Sequence, residues 1–194
     1  MAEKARTGSA RTRFTTEVLL VGERLIARFP EVASAELPSR GQVAVTGLIN
    51  EHPFEAVVEP DGLRGHWLDV GEVLRGIDDD ADTGSGAGSV GEGDTVELEI
   101  ERNEAWPEPN VPAEFDEALA ETPAAGETWE GITPMARWEW VRWVNATKNP
   151  ATREKRIEVS MSKLGKGMRR PCCFDLSSCT DPELSKNGKL LGLS

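Results

Sequence analysis

The chain has 194 residues, a formal net charge of −12, six tryptophans and no tyrosine. That length buries an adequate core in one larger domain or two small ones. No stretch approaches the roughly 20 apolar residues of a membrane span, and no apolar run behind MAEKARTGSARTR makes a secretory signal. A cytoplasmic protein with reduced thiols is therefore expected, an odd three cysteines being a poor disulfide framework. The charge is uneven: residues 1–133 carry −18 and residues 134–194 carry +6. The first part should repel nucleic acid and anionic membrane, while the second suits either of them or an acidic partner.

Residues 1–13 read as a disordered lead-in. From Phe14 the chain alternates, with Phe14, Thr16, Val18 and Leu20 on one face, which is strand periodicity. Residues 22–29 fit an extension of that strand or a short helix. After the turn signal Pro38-Ser39-Arg40-Gly41, residues 42–49 form a strand, and residues 54–58 return as the second arm of a hairpin. Asp61-Gly62 turns again into a strand over residues 63–70, and a short helix covers 71–77. Residues 78–91 are acidic and glycine-rich, with too little apolar content to bury, so a flexible insertion is expected. Its Asp78, Asp79, Asp80 and Asp82 are hard oxygen ligands, but their spacing is not that of a calcium loop. Residues 95–100, TVELEI, form a clean alternating strand.

A proline-rich linker over residues 104–112 marks the domain boundary. A short helix over 113–121 turns Phe115 and Leu119 inward, Pro123 interrupts, and a second helical turn includes Trp129. Thr133-Pro134 is a helix start, threonine capping free N–H groups and proline losing only an unpartnered one. Trp140, Val141 and Val144 share one face of that helix, which should end near Lys148-Asn149, before Pro150. A second helix runs from Pro150 to about Leu164, capped by Asn149 and stopped by Gly165 and Gly167, giving a helical hairpin. The chain beyond Arg170 reads as irregular, through Lys186-Asn187-Gly188-Lys189. The pattern is α+β: a small β-rich domain of five or six strands over 14–103, then a helical domain over 113–194.

Several residues are candidates for chemistry. The hairpin's tryptophans suit a core and its cations a solvated face. The alternative is a polyanion or partner surface made by Lys148, Arg153, Arg156, Arg169 and Arg170. Cys172, Cys173 and Cys179 form C-C-x5-C. Adjacent cysteines ligate one metal poorly and a closed zinc site needs four ligands, so small buried thiols compete with a redox or soft-metal site. His66 alternates with Trp67, so one of the two faces the interior; if it is His66, a ligand pocket including His66, Trp67 and His52 follows. G-x-S-x-G, P-loop and G-x-G-x-x-G motifs are missing, so no catalytic residue is assigned and no cofactor is expected.

Two segments carry a family resemblance. Residues 43–70 and 90–101, VAVTGLINEHPFEAVVEPDGLRGHWLDV and VGEGDTVELEIE, resemble an uncharacterised bacterial β-barrel domain with a G-x-I-N-x-H-P-F strand end and a G-x-G-D-x-V start. Residues 136–173, ARWEWVRWVNATKNPATREKRIEVSMSKLGKGMRRPCC, look like the YdeI/OmpD-associated family, also called bacteriocin-protection proteins. The resemblance implies a six-stranded double-split barrel akin to AbrB-type transition-state regulators, followed by a helical module. The family name implies resistance to bacteriocins or cationic antimicrobial peptides, and carries no catalytic residues across. The acidic insertion is longer than the family's, and an acidic barrel lacks the basic face of DNA-binding barrels. The expectation is a non-catalytic cytoplasmic binding protein, with a cationic peptide or a protein as partner. The alternatives are a nucleic-acid-binding regulator using the basic hairpin, and a cysteine-based redox or metal-responsive protein or enzyme.

Overall fold

Alternating side chains place Val18 of β1 (Thr12–Val21) in the interior, and this alternation recurs strand after strand in the computed structural model, which describes residues 11–80, 90–171 and 183–192. The chain divides at residue 105 into two units, 1–105 and 106–194. In the first, Gly22 at φ 62° reverses the chain into β2 (Arg24–Arg28), so the ambiguous segment is a separate strand. A short helix that the pattern did not announce, α1 (Glu31–Ala35), follows. Then come β3 (Val43–Ile49), β4 (His52–Pro60), β5 (His66–Asp69), α2 (Val70–Asp80) and β6 (Thr95–Arg102). All neighbours pair antiparallel, and the order β1-β2-β5-β4-β3-β6 closes on itself, giving the six-stranded barrel. Its interior is filled by residues such as Val45, Ile49, Leu68, Leu98 and Ile100, with Val70 and Val73 of α2 packed against them. Each such burial contributes roughly 1.5–3 kcal/mol.

Two expectations about this unit change. Residues 63–65 are not strand, because they close a loop back onto Asp61: the Asp61 N–H donates to the Gly65 carbonyl at 2.9 Å. Residues 78–80, expected in the flexible insertion, continue the backbone of α2, while residues 81–89 lie outside the described residues.

The β3–β4 hairpin turns through Asn50 and Glu51, both at positive φ (45° and 71°). That is the two-residue turn whose twist matches its strands. Asn50 belongs there, since its Oδ1 accepts the Glu97 N–H at 2.9 Å and its own N–H donates to the Glu97 carbonyl at 2.9 Å. Glu51 carries a left-handed penalty that glycine would not. Glu51→Gly is expected to raise stability by about 0.5–1 kcal/mol, seen as a higher urea midpoint at unchanged slope.

The second unit holds α3 (Ala113–Glu121), α4 (Pro123–Gly131), α5 (Pro134–Asn145) and α6 (Pro150–Leu164) around Phe115, Trp129, Trp140, Val144, Met161 and Leu164. Thr133 Oγ1 accepts the Ala136 N–H at 3.3 Å and Asn149 Oδ1 accepts the Thr152 N–H at 3.2 Å, the caps read from sequence. Helix α5 stops three residues early, at Asn145. There Thr147 N–H turns to the Asn145 carbonyl at 2.7 Å, and Thr147 Oγ1 accepts the Asn149 N–H at 3.2 Å, local bonds that compete with the helix. The segment expected to be irregular contains a hairpin, β7 (Ser185–Lys186) and β8 (Lys189–Leu190), turned by Asn187 and Gly188 at φ 53° and 73°. Leu184 and Leu190 on its flanks are buried.

Candidate functional site

Strand β6 turns Val96, Leu98 and Ile100 inward, which leaves Glu97, Glu99 and Glu101 in a row on the barrel's outer face. Arg11, just before β1, reaches two of them, Nη1 lying 2.9 Å from Glu99 and Nε 3.4 Å from Glu101. Arg13 of β1 pairs with Glu97. The carboxylates hold both exposed guanidinium groups above their ordinary pKa, chiefly through these hydrogen bonds. Next in line, Glu55 of β4 accepts from Asn103 Nδ2 at 2.8 Å. Sequence reading passed over this row. Its signal was the glutamate at every second position of TVELEIE.

The interior side of β5 carries His66, completely buried, while Trp67 is buried on the opposite face with its indole N–H 3.3 Å from the Pro60 carbonyl. Pro60 pairs with His66, so His52 lies eight residues along β4, about 26 Å of strand at 3.3 Å per residue. The three residues considered for one pocket are thus not brought together. Instead His66 meets a polar cluster. Its N–H donates to Ser34 Oγ at 3.0 Å, and its Nε2 lies 3.0 Å from the Gly41 carbonyl. In the adjoining loop the buried Asp61 carboxylate accepts the Leu63 and Gly65 N–H groups at 2.7 and 2.8 Å and the Arg28 guanidinium at 3.0 Å. Burial lowers the His66 pKa, against the opposing pull of the Gly41 and Ser39 carbonyls and of Asp61. The imidazole is neutral at pH 7.

In the helical hairpin the basic residues have mostly found intramolecular partners. Arg156 donates to the Trp143 carbonyl at 2.6 Å and lies 5.6 Å from that indole's centroid, with Lys163 at 5.4 Å. Arg169 donates to the Gly131 carbonyl at 3.0 Å, and Arg170 sits 3.4 Å from Glu139. Burial raises the Glu139 pKa, and Arg170 offsets part of that. Arg153 comes within 4.0 Å of Glu114, and Lys148 is exposed. Arg137, which sequence reading left at the helix margin, ties the linker to the helices. It contacts Glu108 at 2.9 Å and the Trp129 carbonyl at 3.0 Å, and stacks on the Trp129 ring. Cys172, Cys173 and Cys179 lie outside the described residues. Among the described residues no group of three or more His, Cys, Asp or Glu is placed to hold a metal, and no helix is long and apolar enough to cross a membrane.

A closed antiparallel barrel followed by a tryptophan-rich helical unit defines a two-domain α+β protein. Residues 108–167 match the family described as Bacteriocin-protection, YdeI or OmpD-Associated, and residues 14–84 match the Domain of unknown function (DUF1905). The two matched segments lie one in each unit, and both families are those the motifs resemble. No curated protein and no solved structure matches it.

Proposed function

We propose that the chain is a non-catalytic binding protein of the bacteriocin-protection kind, and that its barrel takes up cationic peptide on the outer face of β6. One observation carries the reading: Glu97, Glu99 and Glu101 already hold Arg11 and Arg13, two guanidinium groups presented at strand spacing. Side chains on one face of a strand repeat about every 6.6 Å, so an extended peptide with a cation at every second residue meets the same row. The charge of −18 on residues 1–133 adds long-range attraction for such a ligand. The family description supports the choice of peptide over other cations. A cytoplasmic setting is part of the proposal, the odd number of cysteines suiting reduced thiols. The helical unit would supply the surface for a protein partner. A nucleic-acid role has less support, because the charge of −18 on residues 1–133 repels a polyanion.

The test is calorimetric titration of an arginine-rich twelve-residue peptide into the wild type and into Glu97→Gln/Glu99→Gln/Glu101→Gln. Binding should weaken at least about tenfold in the triple variant. It should also weaken between low salt and 0.3 M salt, where the Debye length falls to roughly 5–6 Å. Equal affinity in a folded triple variant, or no binding at low salt, would overturn the proposal.

A further inference from the structure

His66 ties three segments of the barrel domain to β5 at one buried point. Its backbone N–H donates to Ser34 Oγ of α1, its carbonyl accepts the Phe29 N–H at 2.8 Å, and its ring Nε2 lies on the carbonyl of Gly41 ahead of β3. Its ring stands 6.5 Å from that of Phe29, itself packed edge-on against Phe14 at 4.9 Å. A carbonyl only accepts, so Nε2 carries the proton and Nδ1 presents a lone pair. That Nδ1 is buried and has no hydrogen-bond partner.

A second proton would place a charge and an unmatched donor in a site with little water. The charged groups that face the ring are few. Asp61 favours the imidazolium and Arg40 disfavours it. The Asp61 carboxylate is already matched by Arg28 and by two backbone N–H groups. Burial outweighs these, so the closed arrangement prefers the neutral ring.

We infer that His66 is an acid-sensitive latch: when it takes up a second proton it leaves Gly41 and Ser34, and residues 31–42 detach from the barrel and uncover Phe29. The sign follows from linkage. Above the ordinary histidine value of about 6.5, open and closed states are both neutral and the latch is fully set. Below it the open state binds a proton that the closed state does not. The open-to-closed ratio then rises about tenfold per pH unit, until the lowered pKa of the closed state is reached.

The chain has only two histidines, so His52→Gln leaves His66 as the sole imidazole. In this parent, the amide-exchange protection of Phe29, Ser34 and Leu37, whose N–H groups are hydrogen-bonded, should, corrected for intrinsic rate, fall severalfold between pH 7.5 and 5.0. Adding His66→Gln, which keeps a neutral donor for Gly41, should abolish that fall. An equal fall in both proteins, or none in the parent, would overturn the latch. Should the double variant not fold, the parent still decides: an NMR titration of its single imidazole at or above the ordinary value of about 6.5 refutes the inference, and one below it supports it.

Discussion

Replacing Gly47 by alanine is expected to destabilise the barrel by about 3 kcal/mol or more, the upper end of what overpacking does. Gly47 of β3 lies opposite Ile100 of β6 and Phe54 of β4. A Cβ there would stand 1.9 Å from the Glu99 carbonyl oxygen, 2.9 Å from its carbon and 3.0 Å from Ile100 Cα. These are backbone atoms, not the far end of a side chain that can swing away. Nor can β6 retreat, because it also pairs with β1 from Thr95 to Ile100. The substitution must break β3–β6 pairing, so amide exchange along residues 45–49 and 98–102 should accelerate together. Gly76→Ala in α2 is the contrasting control. No atom lies within 4 Å of its added Cβ, and alanine should stabilise by about 0.5–1 kcal/mol through helix propensity alone.

The second large effect is expected at Asp61. Its carboxylate is completely buried, yet its partner Arg28 keeps 40% of its side chain in solvent, so the ion pair itself is discounted to about 1 kcal/mol or less. The short bonds from the Leu63 and Gly65 N–H groups matter more, since Gly65 is buried and its donor would find no replacement. Asp61→Ala should therefore lower stability by about 2–4 kcal/mol, the sum of a stranded donor and lost charge-assisted bonds. Asp61→Asn keeps an acceptor for the two N–H groups and should lose about half as much, and Arg28→Ala about 1 kcal/mol or less. Thermal melts of the three variants would rank them. Equal losses for Asp61→Ala and Arg28→Ala would show that the ion pair, not the loop, carries the energy.

Much of the architecture was legible because each signal was local. The alternation from Phe14, the hairpin around Asn50, TVELEI, and the caps at Thr133 and Asn149 all depend on residues within one or two turns of each other. What escaped was set by distant partners or by side chains acting on backbone. Residues 63–65 looked like strand because LRGHWLDV has strand-like composition, and nothing in composition says that the Asp61 carboxylate will hold the Gly65 N–H. The turn at Asn187-Gly188 was readable by the rule for paired Asn-Gly, but the short flanking strands hid it. For the candidate sites the limit was orientation. A run of arginines reads as a charged face, and only the fold shows that Arg156 bonds the Trp143 carbonyl and Arg169 that of Gly131. Conversely, the glutamates of β6 gained meaning once Arg11 and Arg13 were laid beside them from 84 to 90 residues away.

That last pairing also bears on how the chain reaches its native state. Strand β6 is the keystone between β1 and β3, and its register with β1 joins Thr12 to Ile100, across nearly the whole unit. During synthesis from the N-terminus, β1 and β3 each wait with one edge bare until residues 95–102 emerge. Open edges of this kind recruit strands from other chains. Closure of so long a loop is also slow compared with helix formation in the second unit. The carboxylates along TVELEIE give the late-arriving strand a charged outer face, and a charged face keeps it apart from its own copies until the barrel shuts.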